Sequence, residues 1–346
     1  MMFQLDSAIA EFPFLDVMSS LLCAAYNAGR SLVRVLIWYV LAATALYLAT
    51  IAIHGKTSGH RFRFALNLND PGNIRTFMGG LRYLFPRAIY THPSFRIDLA
   101  WFPINVALRL TGIFGIVLGA ATVQRWLTAN VGTLWVMPIP DGLFAVAAQV
   151  LIMLLARDFA RFVWHYQSHT VAFFWEFHKV HHSAEVLHPF GVRTHPFDLF
   201  IRNTYIGVGG GLIAGTLIYV LGMEYSSPTT IAFFYAVGIW KLVEHLEHSH
   251  VCFSFGGMLG KIFYSPYLHL FHHSAAPEHR CVNLGLAGGL TLWDRLFGTL
   301  YIPQDGEHLV WGASSEELGE HNPHRTLWQL FWTPFVAAFR TLRPHP

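Results

Sequence analysis

The sequence predicts an all-α integral membrane protein of about four to five transmembrane helices with a cytoplasmic, histidine-rich helical cap. Three observations predict it. The 346-residue chain is 53% hydrophobic and only 12% charged, where a soluble domain normally carries about 25% charged residues. Several stretches approach the roughly 20 apolar residues that a spanning helix needs. Finally, 14 of the 21 histidines fall between residues 165 and 279, in short, regularly spaced clusters.

The first predicted span, residues 32–53, is interrupted only by Arg34. The second, Leu99 to Ala121, contains Pro103 and Arg109, which mark a kink or a polar contact within the bundle. A third begins near Gly142, is apolar to Ala156, and runs amphipathically through Arg157, Asp158 and Arg161 towards His165. Residues 201–222 and 228–243 read as a hairpin of two further helices around Ser226-Ser227-Pro228. Within it Gly207, Gly211 and Gly215 stand four apart, a spacing that lets helix backbones approach closely in lipid. The stretch 325–342 is aromatic and basic, too interrupted to span, and suited to the membrane interface.

Lys56, Arg61, Arg63, Arg75, Arg82, Arg87 and Arg96 face only Asp70 and Asp98 in the 54–98 loop, whereas Arg125 stands alone between the second and third spans. The positive-inside rule puts the 54–98 loop in the cytoplasm, and counting spans onward puts every histidine cluster on that side. The chain divides into residues 1–140 (membrane helices and the basic loop), 141–300 (a catalytic region) and 301–346 (a cytoplasmic or interfacial tail). Net charge is +3, too weak for nucleic acid, and no basic stretch interleaved with aromatics supports that partner. Cys23, Cys252 and Cys281 are scattered and odd in number, so they give no disulfide framework and any metal site is built from histidine. The N-terminus has no positively charged lead before an apolar run and is not expected to be a cleavable signal.

The clusters are His165-Tyr-Gln-Ser-His169, His178-Lys-Val-His181-His182, His245-Leu-Glu-His248-Ser-His250 and His269-Leu-Phe-His272-His273. Imidazole suits iron and zinc, and eight or more exceed what one tetrahedral zinc needs, so two metal ions are expected. Residues four apart share a helix face, which groups His165 with His169 and aligns Asp158, seven before His165, with them. The same spacing aligns His178 with His181 and His182. Asp158, Glu176, Glu244 and Glu247 are candidates to orient imidazoles through the second ring nitrogen, with a structural ion pair the default for Glu176 and Glu247. His188, His195 and His279 line the site or cap loops, and Phe159, Phe162, Trp164, Phe173, Phe174 and Trp175 are candidate cavity walls. There is no HExxH, GxSxG or phosphate-cradling glycine loop.

The ordered motifs HYQSH (165–169), FHKVHHS (177–183), Arg193-Thr-His195-Pro196, EHSHV (247–251), SPYLHLFHHS (265–274) and Asn283-Leu-Gly285 with Trp293-Asp294-Arg295-Leu-Phe-Gly298-Thr299 resemble the fatty acid hydroxylase / sterol desaturase superfamily over about residues 150–300. The resemblance implies a histidine-coordinated di-iron centre that activates O2 to hydroxylate or desaturate a membrane lipid. It implies His165, His169, His178, His181, His182, His248, His269, His272 and His273 as ligands. His250 stands where the family pattern often has Asn, and His245 has no firm counterpart; both, with Asp158, His195 and Glu244, are possible additional or supporting residues. With no fused HPGG segment, electrons are expected from a separate protein, a ferredoxin or a cytochrome b5-like carrier with an NAD(P)H reductase. The expected location is a bacterial inner membrane. Two other classes stand beside this reading: a haem-binding electron carrier, and a zinc-dependent membrane hydrolase or metal transporter.

Overall fold

The computed structural model describes residues 77–110, 118–136, 142–250 apart from 190 and 192, 254–304 apart from 256, residues 307, 309 and 310, residues 322–343, and scattered positions between 30 and 45. Most of the predicted span 32–53, the loop residues 54–76, and Cys23, Cys252, His54, His60, His308, His321 and His345 lie outside them.

The regular structure of the described residues is helical, apart from isolated bridging such as that between Phe263 and Leu290. Helix α1 runs Pro93–Leu110, α2 Ala120–Val131, α3 Leu143–Thr170 and α4 Ala172–His182. Helix α5, Pro196–Val220, contains a π-helical turn at Tyr205–Gly209; α6 is Ser227–Glu247, α7 Pro266–His272, α8 Leu292–Phe297 and α9 Leu327–Thr341. Among these, α3 and α5 are long and apolar enough to cross a membrane. Large apolar side chains stand exposed along α3, α5 and α6, including Leu143, Phe144, Leu212, Leu217, Ile231, Phe234 and Ile239. An exposed apolar belt of this size has its natural solvent in lipid, which gives the protein integral-membrane character.

The 28 residues of α3 reach about 42 Å at 1.5 Å per residue, more than the ~30 Å hydrocarbon core. One end of α3 therefore projects beyond the apolar layer, and His165 and His169 occupy its last two turns. Helix α6 ends similarly, with Lys241, Glu244 and Glu247 in its final turns.

The predicted span Leu99–Ala121 is not one helix. Leu118 and Gly119 are non-helical, Gly119 being extended at φ −66°, ψ 142°, and α2 starts after it. Arg125, read from the sequence as lying in a simple loop, is on α2. The break is fixed by tertiary contact, since the Leu118 N–H donates to the Gly207 carbonyl at 3.1 Å. A Cβ on Gly211 would sit 1.6 Å from the Leu118 carbonyl oxygen, and one on Gly215 would sit 2.5 Å from the Val123 Cβ. The small-residue spacing thus serves helix packing, and Ala120, Ala156 and Ala214 complete that contact between α2, α3 and α5.

The loop from Ser183 to His195 is tied to α1 by a buried polar group. Arg193 Nε donates to Asp98 Oδ1 at 2.5 Å, His188 Nε2 lies 2.9 Å from Asp98 Oδ2, and Arg193 Nη2 donates to Ser94 Oγ at 2.8 Å. Trp101 Nε1 adds a bond to the Thr194 carbonyl at 3.1 Å. Helix α9 packs its Leu330 against Trp101 and Val180, with Trp328 and Phe339 exposed on its outer side.

Candidate metal centre

Two groups of imidazoles converge at the ends of α3, α4, α6 and α7. His165, His169, His178, His182 and His272 form one; His181, His248, His269 and His273 form the other. Within each group the candidate donor atoms lie within 4.8 Å of one another. The nine histidines expected from the sequence are thus brought together, and they are divided in a way that spacing alone did not resolve.

The division exchanges the two HxxHH motifs. Neighbouring helical residues point about 100° apart, while residues i and i+4 share a face. In α4, His178 and His182 enter the first group and His181 the second. In the α7 motif, His269 and His273 enter the second group and His272 the first. Each motif gives an i, i+4 pair to one group and a single ring to the other. The rings therefore pack across the boundary, with His182 and His273 stacked at 4.4 Å and 23°.

Hydrogen bonding among these rings does not satisfy them. His248 Nε2 lies 3.0 Å from the Nε2 atoms of both His181 and His269, and His269 Nε2 also lies 3.0 Å from His273 Nε2. An imidazole nitrogen carries either one proton or one in-plane lone pair, so it cannot serve two such partners well. In the other group, His169 Nε2 and His178 Nε2 are buried without a hydrogen-bond partner. Convergent, unsatisfied lone pairs fit a cation in each group. Burial, with neighbouring imidazoles adding to it, holds His181, His182, His269 and His273 well below the ordinary value of 6.5. His248 and His272 are brought down to about 3, again chiefly by burial. Neutral rings are the form that ligates.

Several outer nitrogens face partners of two kinds, carboxylates and backbone carbonyls. His178 Nδ1 lies 3.0 Å from Asp198 Oδ2. His165 Nδ1 meets the Leu284 carbonyl at 2.7 Å and His272 Nδ1 the Val282 carbonyl at 3.0 Å. Glu247 Oε1 stands 3.4 Å from His269 Nδ1 and accepts the Ala287 N–H at 2.8 Å. Such contacts fix tautomer and ring orientation. The 282–285 backbone is in turn set by Asp294, whose carboxylate accepts from Leu284 N, Gly285 N and Thr299 Oγ1 at 2.7, 2.9 and 2.6 Å. Burial pushes Asp294 up to about 6. A Cβ on Gly285 would collide with Asp294 Oδ2 at 2.6 Å. The Asn-Leu-Gly and Trp-Asp-Arg segments therefore work as one clamp on His165.

Other candidates lie elsewhere. Asp158 is buried, but its Oδ2 accepts from Leu290 N at 2.9 Å and Trp293 Nε1 at 2.8 Å, so it anchors α8 to α3. Glu244 pairs with Arg161 at 2.8 Å, and Glu176 with Lys179 on its own helix. Glu247, expected in an ion pair with a cation, faces the His269 ring instead. His195 caps α5: its Nδ1 accepts from Phe197 N at 3.1 Å and its Nε2 donates to the Phe331 carbonyl at 3.0 Å. Both nitrogens are thereby used. His188 belongs to the Asp98 group, and His279 contacts Ser274 Oγ at 2.8 Å. His250 is buried but outside both groups, and the His245 side chain lies outside the described residues. Asp198, Asp294 and the two backbone carbonyls were not anticipated; the sequence signal available was the acid placed in the first turn of α5, three residues after His195.

Two cavities flank the centre. The larger, about 590 Å³, is lined by His165, His178, His181, His248 and His269 and by residues of α1, α3, α5 and α6. The smaller, about 250 Å³, touches His169, His182, His272 and His273 and opens beside Arg280 and Cys281. Of the aromatic residues expected as walls, Trp164 lines the larger and Trp175 the smaller. Phe159, Phe162 and Phe173 pack instead against Trp293, Phe297 and Phe197, and Phe174 stands against Phe173.

Residues 150–299 match the family model described as fatty acid hydroxylase. The chain is 29% identical over 164 residues to an ornithine lipid hydroxylase of Rhizobium tropici, covering 47% of this chain and 45% of that protein. It is 31% identical over 178 residues to cholesterol 25-hydroxylase of Rattus norvegicus, covering 49% and 52%. With alkylglycerol monooxygenase of Xenopus tropicalis it shares 25% over 187 residues, 51% of this chain and 37% of the relative. The chain thus spans about half the length, or less, of the curated relatives it matches. No solved structure matches it significantly.

Proposed function

We propose, from the match of residues 150–299 to the fatty acid hydroxylase family model, that this protein is an O2-dependent lipid hydroxylase whose two imidazole groups each hold one iron ion. The observation that carries the reading is the exchange of single rings between the two HxxHH motifs, which sets two nitrogen-only sites side by side against a 590 Å³ cavity. Nine imidazoles exceed the needs of a tetrahedral zinc, and haem takes two axial side chains at most.

Bound iron would supply O2 activation and the capacity to oxidise an unactivated C–H bond. The chain's residues supply the rest. Asp198 and the Leu284 and Val282 carbonyls hold the outer nitrogens of His178, His165 and His272, Glu247 stands beside that of His269, and the inner lone pairs converge. Helices α1, α3, α5 and α6 wall the larger cavity, where a lipid carbon can approach His165, His178, His181, His248 and His269 away from bulk water. The smaller cavity, bordered by polar loop residues, is the approach for electrons from a separate ferredoxin or cytochrome b5-like protein. The three relatives are named for hydroxylation or monooxygenation, which favours hydroxylation over desaturation here.

Four to five spans, with the metal centre on the cytoplasmic side of a bacterial inner membrane, complete the proposal. Supplying the iron-loaded protein with electrons, 18O2 and membrane lipid extract tests it. One 18O atom in a hydroxylated lipid is expected, and unlabelled product or none at all would sink the reading.

A further inference from the structure

The larger cavity holds more positive charge than its carboxylates can answer. Arg157 and Arg161, one turn apart on α3, both stand over the Trp240 ring, at 5.7 and 6.0 Å from its centroid. That indole is itself pinned by a 2.9 Å bond from Nε1 to the Ala287 carbonyl. Glu244 is shared between the two, with its Oε1 2.8 Å from Arg161 Nη2 and 3.6 Å from Arg157 Nη2. The Nη1 atoms of both guanidinium groups are buried with no hydrogen-bond partner, and Arg161 is only 6% exposed. Arg202, from α5, lies over Trp164 at 5.7 Å. The two other acids of the cavity are committed elsewhere: Asp198 to His178 and Trp164, Glu247 to Ala287 N and His269.

Cations within apolar helices are costly and mark a ligand path, and buried guanidinium N–H groups without acceptors call for oxygen. We propose that Arg157, Arg161 and Arg202 receive an anionic oxygen group, carboxylate or phosphate, on the headgroup of the lipid. This deepens the hydroxylase reading and rests on it. Because the same cavity is lined by His165, His178, His181, His248 and His269, a headgroup held there puts the oxidised carbon within or next to the headgroup rather than far along a tail. Phe102, Val106 and Ile206 give the cavity its apolar wall, against which the first methylenes of the tail lie.

The test uses the metal-loaded full chain in neutral detergent, with binding read by tryptophan fluorescence. N-palmitoylglycine and palmitoylglycerol phosphate are compared with N-palmitoylglycine methyl ester. The acids are expected to bind at least 10-fold more tightly than the ester. Arg157→Gln, and the charge-balanced double variant Arg161→Gln/Glu244→Gln, are expected to lose that preference while still binding the ester. Equal binding of acid and ester by the unaltered protein overturns the proposal, as does an unchanged preference in the variants. If the double variant fails to fold, Arg157→Gln and the acid–ester comparison still decide. Inorganic phosphate or N-acetylglycine binding as tightly as the tailed acids would assign the site to a soluble anion and overturn the headgroup. Binding is measured without turnover, so a protein that prefers the acids but makes no oxygenated product refutes the hydroxylase reading and leaves the anion receptor standing.

Discussion

Asp198 Oδ2 stands 3.0 Å from His178 Nδ1, while Asp198 Oδ1 accepts the Trp164 indole N–H at 3.0 Å. Both partners are buried, so the carboxylate has one job on each oxygen: it turns the His178 ring towards the first imidazole group and braces it against α3. Removing such a partner typically weakens metal binding 10- to 100-fold. Asp198→Ala is expected to weaken retention of one metal ion per chain by about that factor, measured by chelator competition, with Asp198→Asn intermediate.

The exchanged motifs predict a specific stoichiometry. His272→Ala removes a ring from the five-histidine group and His181→Ala one from the four-histidine group. Each variant is expected to keep about one metal ion where the unaltered chain keeps two, and to lose product formation. Elemental analysis of folded protein checks this. Two ions retained by both variants would dismantle the assignment.

His195 is expected to behave as a structural residue. It caps α5 through Nδ1 and holds α9 through Nε2. Losing a cap costs about 1 kcal/mol. His195→Ala should lower the thermal midpoint while metal content stays unchanged; a loss of metal without a loss of stability would instead make His195 a ligand.

How far the sequence could be read follows from where each interaction lives. The i, i+4 pairs His165/His169, His178/His182 and His269/His273 were legible because helical spacing is local. The side that His181 and His272 take was not, because it depends on how α4 and α7 face each other. Asp198 and Asp294 were passed over for the same reason: one acts on His178, 20 residues away, and the other through the Leu284 backbone on His165. Helix α2 was missed since its start is set by the contact of Leu118 with Gly207 and Gly211, which apolarity does not encode. Asp158 looked like a site residue by helical phase, yet Trp293 and Leu290 claim its carboxylate.

Close packing gives a paired prediction. Gly211→Ala places a Cβ on the Leu118 carbonyl, whereas a Cβ on Gly238 meets nothing within 4 Å. Overpacking costs about 1–3 kcal/mol. Gly211→Ala is expected to lower the unfolding midpoint, and Gly238→Ala to leave it unchanged or raise it slightly. Equal behaviour of the two in thermal denaturation would remove the close α2–α5 approach.

Acid sensitivity follows from buried neutral histidines outside the metal groups. Burial lowers His195 to about 4 and His324 to about 3. Their unfolded value is near 6.5, so as pH falls below it the unfolded chain takes up protons that the folded chain refuses. Stability is full above about 6.5 and declines towards 4 and 3. Denaturant unfolding at pH 7.5 and 5 should show the loss, and His324→Gln should lessen it.

The proposed hydroxylase stands on two nitrogen-built iron sites side by side. Metal analysis of anaerobically purified full chain, with its optical spectrum, tests it most directly. About two irons per chain and no haem Soret band are expected, with O2-dependent activity rising as iron is restored. A Soret band, or zinc alone supporting full activity, would contradict it.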